Sequence, residues 1–396
     1  MRYIHLPVWM EEVNRPRAST FAILFSLVAM ARTLLLVVIP LQANESLDDV
    51  RQVSILYFAV SMVSLCGALA IPTLVHKLRR RWVFTVGAMA AVTGYGALMT
   101  GSLIGLVAGL TLQMFSISAM EITLNLYLMD HIPRKELTRF EPMRVFAGAA
   151  VWTGGPMLGV LLKTEFGPAA PYAAAVTAAV VALGYFWLLR FKEDPSVAPM
   201  KTPPPKPIRY IGHFFAQPRL RLAWALALGR SAWWSMFFIY APIYVVRSGL
   251  GEQWSGAIVS VGMMMVFLVP VWGWVGRQIG LRRLLMTGYL LAGGMTVVVA
   301  VVAATPWLGV AALALAAFGA SVIDGAGNVP FLRAVHPYER SEMTAVFSTF
   351  RDVGQLAPPG VFAILLKAFD LPAVFAAGGL AMMCLAFVSK FVPRRM

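Results

Sequence analysis

Long apolar runs recur along the whole chain, and no other feature limits its fold as strongly. Each run holds roughly 20 residues, and a helix of that length crosses the roughly 30 Å hydrocarbon core of a bilayer. Within that core only helices and closed barrels satisfy their own backbone, and runs of this length favour helices. The sequence therefore predicts an all-α integral membrane protein with twelve transmembrane helices. The runs lie at about 18–40, 52–75, 82–101, 103–129, 141–162, 169–190, 220–246, 254–276, 283–303, 307–334, 343–366 and 372–392.

The composition is typical of a membrane protein and argues against a nucleic-acid partner. Hydrophobic residues make up 59% of the chain, charged residues 13%, and the mean hydropathy is +0.74. The net charge of +15 lies in short basic clusters between apolar runs, whereas nucleic-acid binding needs a basic patch on a solvated domain. Cys66 and Cys384 lie inside apolar runs, and the histidines lack the spacing of a metal site. We therefore expect the lipid bilayer as a partner, and no nucleic acid, metal or cofactor.

The connections between the runs divide and orient the chain. The longest connection, 191–219, contains the Pro-rich stretch KEDPSVAPMKTPPPKP, which cannot continue a helix and is typical of a linker. It predicts an N-terminal six-helix bundle at 1–190, a cytoplasmic linker at 191–219 and a C-terminal six-helix bundle at 220–396. Most Lys and Arg residues fall in alternate connections, in the linker and at the termini, which places both termini in the cytoplasm. We expect a monomeric, multi-pass protein of the cell membrane, such as a bacterial inner membrane.

The two halves repeat each other in sequence. The segment SAMEITLN (118–125) matches SVIDGAGN (321–328), and other matches follow in the same order along both halves. Ordered matches of this kind are typical of two halves that descend from one unit. The matched polar residues are Arg32 with Arg230, Glu121 with Asp324, and Asn125 with Asn328.

Two six-helix halves with a central linker resemble the major facilitator superfamily, and the resemblance covers nearly the whole chain. The segment GWVGRQIGLRR (273–283) is similar to the superfamily's loop motif G-x-x-x-D-R-x-G-R-R, with Arg277 and Gln278 replacing its Asp and first Arg. The segment MDHIPRKELTR (129–139) resembles the fourth-helix exit pattern, and GGPMLGV (154–160) resembles the fifth-helix motif of antiporters. The resemblance implies the major facilitator fold, in which the first, fourth, seventh and tenth helices line a central cavity.

The polar residues of those helices are the main candidates for a functional site. Glu121 and Asn125 lie four residues apart and share one helix face, as do Asp324 and Asn328. Such a face is costly against lipid, so we expect it to point inward. An arginine can hold a carboxylate or phosphate with two hydrogen bonds, and a desolvated carboxyl can carry a proton. The candidate substrate-binding residues are Arg32, Arg230, Asn125, Asn328, Trp234 and Phe237, and the candidate proton-coupling or ion-pairing residues are Glu121, Asp324, Asp352, Arg144 and Arg351.

Two interpretations of the buried arginines stay open. In the first, Arg32 pairs permanently with Glu121 and Arg230 with Asp324, and the pairs only hold helices together. In the second, solute or proton competes for one partner and biases the cavity toward one side of the membrane. Organic-phosphate exchangers of the superfamily hold anions between arginines on the first and seventh helices, which implies a similar role for Arg32 and Arg230.

The sequence predicts a secondary active transporter rather than an enzyme. We expect it to move a small organic solute, anionic or amphipathic, by alternating access coupled to protons or a counter-anion. No Walker motif is present, so the sequence does not indicate ATP-driven transport. A multidrug–proton antiporter is an alternative that the fifth-helix motif supports, although the Arg that many such antiporters carry early in the fourth helix is missing. More remote alternatives are a solute sensor that does not transport and an intramembrane enzyme, for which no catalytic motif occurs.

Overall fold

The computed structural model describes residues 18–78, 80–131, 134–189, 207–302, 305–336 and 339–392. These residues form α-helices joined by short turns, and none of them belongs to a β-strand, so the predicted all-α fold is confirmed. The described residues do not include most of the predicted linker (191–206). They also leave out the side chain of Arg144 and the side chains of motif 129–139.

The helices follow the predicted runs closely. In the first half they are α1 (Ala18–Thr33), α2 (Val38–Leu47), α3 (Val50–Lys77), α4 (Arg80–Met99), α5 (Leu103–His131), α6 (Arg134–Phe166) and α7 (Ala170–Leu188). In the second half they are α8 (Pro207–Ala216), α9 (Pro218–Arg247), α10 (Glu252–Met264), α11 (Val269–Ile279), α12 (Leu281–Val301), α13 (Pro306–Ala326), α14 (Val329–Ala334), α15 (Arg340–Phe347), α16 (Phe350–Leu365) and α17 (Pro372–Val388).

Within the described residues, 9 segments are long and apolar enough to cross a membrane. They coincide with nine of the predicted runs. The other three runs, 141–162, 220–246 and 343–366, are also helical and correspond to α6, α9 and the pair α15 and α16. Part of the difference between nine segments and twelve predicted runs comes from charge inside a helix, because Arg230 lowers the mean hydropathy of α9. The architecture is that of an integral membrane helix bundle.

Three of the spanning segments are interrupted inside the bundle. The first breaks at 34–37, shortly before Pro40, which has no N–H to donate to the preceding turn. Another passes through a 3₁₀ turn at Met265–Leu268, just before Pro270, and a third breaks at Gly327, which has a φ of +52°. Irregular backbone is tolerated at membrane depth only where protein or a cavity covers it. The interruptions therefore mark places where the bundle interior is specialised.

Helix packing repeats between the halves. Helix α1 packs on α6 as α9 packs on α16, and α3 packs on α5 as α11 packs on α13. Helix α4 contacts α5 and α7 just as α12 contacts α13 and α17. These pairs correspond under the predicted sequence repeat. We call α1–α7 and α8–α17 the two groups of helices. Between the groups, α3 packs on α16 and α6 packs on α10.

Glycines of the GGPMLGV motif bring α6 very close to the break after α1. A Cβ atom on Gly155 would lie 2.3 Å from Oγ1 of Thr33, and one on Gly159 would lie 1.8 Å from the carbonyl oxygen of Leu34. Small residues permit this approach of helix backbones in membranes. The motif therefore has a direct packing role beside the first interruption.

Charged residues join the two groups of helices at one end of the bundle. Nζ of Lys163 on α6 lies 2.5 Å from Oε1 of Glu45 on α2 and 3.0 Å from Oε1 of Glu252 on α10. Close by, Nε of Arg247 donates to Oδ1 of Asn44 at 2.9 Å. We call the end that holds these five residues the Lys163 end. It is closed by contacts between the two groups of helices.

Part of the predicted linker is helical. Helix α8 packs on α15, and Glu339, just before α15, ties the two together. Oε1 of Glu339 lies 3.0 Å from Nε2 of His213, and Oε2 accepts a hydrogen bond from Gln217 at 3.2 Å. The hydrogen bond with His213, followed by that from Gln217, lowers the pKa of Glu339 below the usual value of a glutamate.

Candidate functional site

A cavity of about 400 Å³ lies among the N-terminal helices. Four helices supply its polar residues: Arg32 comes from α1, Tyr95 from α4, Ser116 and Glu121 from α5, and Trp152 from α6. Arg32 stands in the last turn of α1, directly before the first interruption. The volume lies within the range of small-molecule binding sites.

The Arg32 side chain rests on an aromatic ring. Its guanidinium carbon lies 5.0 Å from the centroid of the Trp152 indole, at the distance of a cation–π contact. Glu121 attracts the guanidinium electrostatically but is too far away for a direct ion pair. Among the described residues, none accepts a hydrogen bond from Arg32. The permanent Arg32–Glu121 pair of the first interpretation is therefore not present in this arrangement.

Most of the remaining wall is apolar. Phe25 and Met120 contribute large side chains, and alanines on several helices keep other parts of the wall flat. Met263 and Val266, at the 3₁₀ interruption after α10, close the cavity from the second group of helices. A solute here would meet the charged residues Arg32 and Glu121, the few polar residues named above, and otherwise hydrocarbon.

The second arginine, Arg230, lies in a different environment. Its Nε is 3.5 Å from Oδ1 of Asp324, and its Nη2 donates to Oδ1 of Asn328 at 3.4 Å. Nε1 of Trp234 donates to the other oxygen of Asp324 at 3.0 Å. Asp324 ends α13 and Asn328 follows Gly327, so the break in this segment brings both to Arg230. The predicted contact of Arg230 with Asp324 is present, but Arg230 does not line the cavity.

A row of aromatic rings connects the two arginine sites across the two groups of helices. The centroid of Trp152 lies 6.4 Å from that of Phe238 on α9. Phe238 in turn stacks on Trp234, with centroids 5.5 Å apart, and Trp234 is bonded to Asp324. We call Trp152, Phe238 and Trp234 the aromatic row.

Other predicted site residues lie away from the cavity. Phe237 is fully buried and stacks within the packing of α9, and Asn125 is not part of the cavity wall. Arg351 and Asp352 begin α16, and among the described residues Asp352 forms no ion pair. The position of the Arg144 side chain lies outside the described residues.

Trp152, Tyr95 and Met263 line the cavity although sequence reasoning did not select them as site residues. The available signal for Trp152 was a single large aromatic residue in the small-residue segment AGAAVWTGG. Tyr95 and Met263 carry no such signal, because each looks like an ordinary apolar-face residue of its helix.

The comparison with protein families now adds to this geometry. The family model of the Major Facilitator Superfamily matches residues 21–354. The chain belongs to the major facilitator superfamily. A comparison with curated proteins found no match.

Solved transporters share the fold. The crystal structure of the nucleoside transporter NupG aligns with this transporter at a TM-score of 0.74 and 14% identity, covering 94% of this chain and 98% of the other. A peptide transporter POT in complex with sulfate aligns at a TM-score of 0.75 and 11% identity, covering 97% of each chain. A POT family transporter in complex with 5-aminolevulinic acid aligns at 0.70 and 12% identity, covering 93% and 94%. These structures show that the chain shares their fold, and its membership of the superfamily makes it a multi-pass secondary transporter.

Proposed function

We propose that this transporter moves a small amphipathic organic anion by alternating access, coupled to protons or to a counter-anion. One observation carries the proposal: Arg32 faces a cavity of about 400 Å³ and has no anionic partner in contact among the residues that the structure describes. A charged residue at membrane depth is a candidate for function, and an unpaired guanidinium favours an anion.

The size and chemistry of known cargoes support this solute class. The structurally similar transporters are named for nucleosides and peptides, and one holds 5-aminolevulinic acid, a small organic acid. A cavity of this volume suits solutes of that size.

Two carboxylates are the proposed coupling groups. Glu121 shares the cavity with Arg32, and Asp324 is bonded to Arg230 and Trp234 beside the interruption of the tenth span. Protonation of either carboxylate would remove a negative charge that faces an arginine. We infer that this change alters how firmly each arginine is held and thus links proton binding to solute binding.

We further propose that residues 1–190 and 220–396 move as two bodies joined by a linker at 191–219, in a monomer with both termini in the cytoplasm. With that orientation the Lys163 end faces outward. The contacts of Lys163 with Glu45 and Glu252 then close the outer side of the path. We therefore propose that this state opens to the cytoplasm.

The test is flux into proteoliposomes under an imposed pH gradient, using a panel of organic anions, zwitterions and cations. Glu121→Gln and Asp324→Asn should each lose the gradient-driven part of anion uptake because neither amide can carry a proton. Glu165→Gln, an exposed carboxylate with no ion pair among the described residues, is the control. Gradient-driven flux that survives in both test variants would refute the coupling role.

A second candidate function is multidrug–proton antiport. The close packing of Gly155 and Gly159 in the antiporter-like motif and the mostly apolar cavity wall favour it. A susceptibility screen in a host lacking its own pumps would separate the two functions. Protection against many unrelated apolar cations would support antiport.

A further inference from the structure

The two arginines that the sequence repeat pairs are held in different ways. Arg230 is paired with Asp324, bonded to Asn328 and absent from the cavity wall. Arg32 lines the cavity, lies against the Trp152 ring, and has no hydrogen-bond acceptor among the described residues. Of these two guanidinium groups, the cavity therefore offers a solute only that of Arg32.

The charge balance of the cavity limits the charge of its solute. In the described part of the wall, the charged residues are Arg32 and Glu121, and their charges cancel when both are ionised. A solute with one negative charge can pair with Arg32. A second negative charge would meet no further cation in the described part of the wall and would face Glu121, and an unpaired buried charge is strongly disfavoured. The cavity thus favours a monoanion over a dianion.

The form of the anion follows from the donor. A guanidinium binds a carboxylate through two parallel hydrogen bonds, and the pair is neutral. A phosphate monoester carries a charge of about −1.5 to −2 near pH 7, which one arginine does not neutralise. A single carboxylate therefore fits Arg32 better than an organic phosphate does.

The other residues of the cavity wall indicate the chemistry of the remaining part of the solute. Phe25, Met120 and Met263 present hydrocarbon, which favours an apolar body. The exposed Glu121 carboxylate has no donor among the described residues and can accept a hydrogen bond from the solute.

We propose that the solute is an amphipathic monocarboxylate: its carboxylate pairs with Arg32, its apolar body fills the cavity, and its far end donates a hydrogen bond to Glu121. The inference rests on the proposed function and narrows its solute class, since it excludes organic phosphates held between Arg32 and Arg230.

The test is calorimetric binding to the purified full-length protein in detergent. The probes are 3-(4-hydroxyphenyl)propionate, its amide, 2-(4-hydroxyphenyl)ethyl phosphate and tyramine, which share a ring and hydroxyl and differ in head-group charge. The carboxylate should bind at least about tenfold more tightly than the amide, which cannot form the charge pair with Arg32, and than the phosphate, whose additional negative charge is left without a cation. Arg32→Lys should lose about tenfold for the carboxylate alone, whereas the exposed Arg283→Lys should lose nothing.

The outcomes separate this inference from the proposed function. Equal binding of the carboxylate and its amide would overturn the inference, and so would failure of the carboxylate to bind. Tightest binding of the phosphate would overturn it too but leave organic-anion transport in place. Tightest binding of tyramine would overturn both and favour the antiport alternative. The comparison of acid with amide uses the unmodified protein, so it does not depend on the folding of any variant.

Discussion

At the scale of single residues, the group in contact with Arg32 among the described residues is a neutral indole and not a carboxylate. Placing an arginine at the centre of a spanning helix costs at least about 2.5–3.5 kcal/mol on insertion scales. A cation–π contact such as that with Trp152 returns about 0.5–2 kcal/mol, which does not offset the whole cost. The electrostatic attraction of Glu121 and water or solute in the cavity can supply the difference, which is consistent with a binding role for Arg32.

Removing the ring under Arg32 should weaken solute binding. Trp152→Leu should raise the Kd of the monocarboxylate by about threefold to thirtyfold, since the guanidinium loses the cation–π contact that positions it. Trp152→Phe keeps a ring and should recover part of the affinity. Calorimetry measures each Kd, and Trp187→Leu, at an indole of α7 that is 42% exposed, is the control. Equal losses in Trp152→Leu and Trp187→Leu would show that the indole has no specific role.

The polar residues of the site could be predicted from the sequence, but the surroundings of each residue could not. Charges and amides inside apolar runs identified Arg32, Glu121, Arg230, Asp324 and Asn328, and the structure brings the last three together. The repeat suggested equal roles for the two arginines. Their difference depends on which rings and breaks lie beside each one, and a one-dimensional pattern does not contain that information.

At the scale of helices, the approach of α6 to α1 depends on the absence of a side chain. Gly155→Ala should lower the free energy of unfolding by about 1–3 kcal/mol, because its Cβ would overlap Thr33. The neighbouring Gly154 has open space around it, so Gly154→Ala should be neutral or stabilising by about 0.5–1 kcal/mol. Thermal unfolding in detergent compares the two variants. Similar shifts for both would show that α6 does not need the close contact.

The contact between α8 and α15 should depend on acid pH. The pKa of Glu339 is lowered by its hydrogen bonds with His213 and Gln217, so its ionised form stabilises the folded contact. That contribution is fully present above the ordinary glutamate pKa of about 4.3 and is lost as the pH falls below it, through the lowered value. Hydrogen-exchange protection of α8, corrected for intrinsic rates, should stay constant from about pH 8 to 5 and drop in stronger acid.

A substitution at Glu339 tests whether its carboxylate stabilises the contact of α8 with α15. Glu339→Gln should reduce protection of α8 at neutral pH, whereas Glu342→Gln, in the first turn of α15, should not. Unchanged protection in Glu339→Gln would mean that apolar packing alone holds α8 on α15.

Helix positions could be predicted from the sequence much better than helix interruptions. Runs such as 18–40 and 307–334 gave the correct segments, because hydropathy over about 20 residues measures membrane crossing. The breaks at 34–37 and at Gly327 were not predicted. Proline and glycine also occur in unbroken helices such as α9, which contains Pro242, so their presence alone did not identify a break.

At the scale of the whole molecule, closure at the Lys163 end depends on one lysine shared by two carboxylates. Lys163→Gln would leave Glu45 and Glu252 near each other without a cation, so we expect the two groups of helices to separate at this end. Spin labels can be placed at the exposed Ser46 and Gln253 after Cys66 and Cys384 are replaced. Pulsed electron double resonance should then give a longer distance between the labels in Lys163→Gln than without that change. Glu165→Gln is the control, and an unchanged distance in Lys163→Gln would show that apolar packing maintains the closure.

The overall architecture could be predicted because the chain contains its pattern twice. The packing of α1 on α6 and of α9 on α16 reproduces the sequence repeat, and the matched family and solved transporters share the fold. The cargo could not be predicted in the same way, because it depends on a few side chains in one cavity. A repeat indicates where such a cavity lies but not what fills it.

The shared lysine also makes the environment on one side of the membrane part of the mechanism. Glu45 is 51% exposed and Glu252 is 29% exposed, so dissolved ions reach the carboxylates that hold Lys163. Salt at about 0.15 M screens charges over roughly 8 Å, which weakens exposed pairs first. Raising the ionic strength on that face alone should favour opening there, and in the orientation that we propose the salinity outside the cell would influence how often the transporter exposes its cargo path.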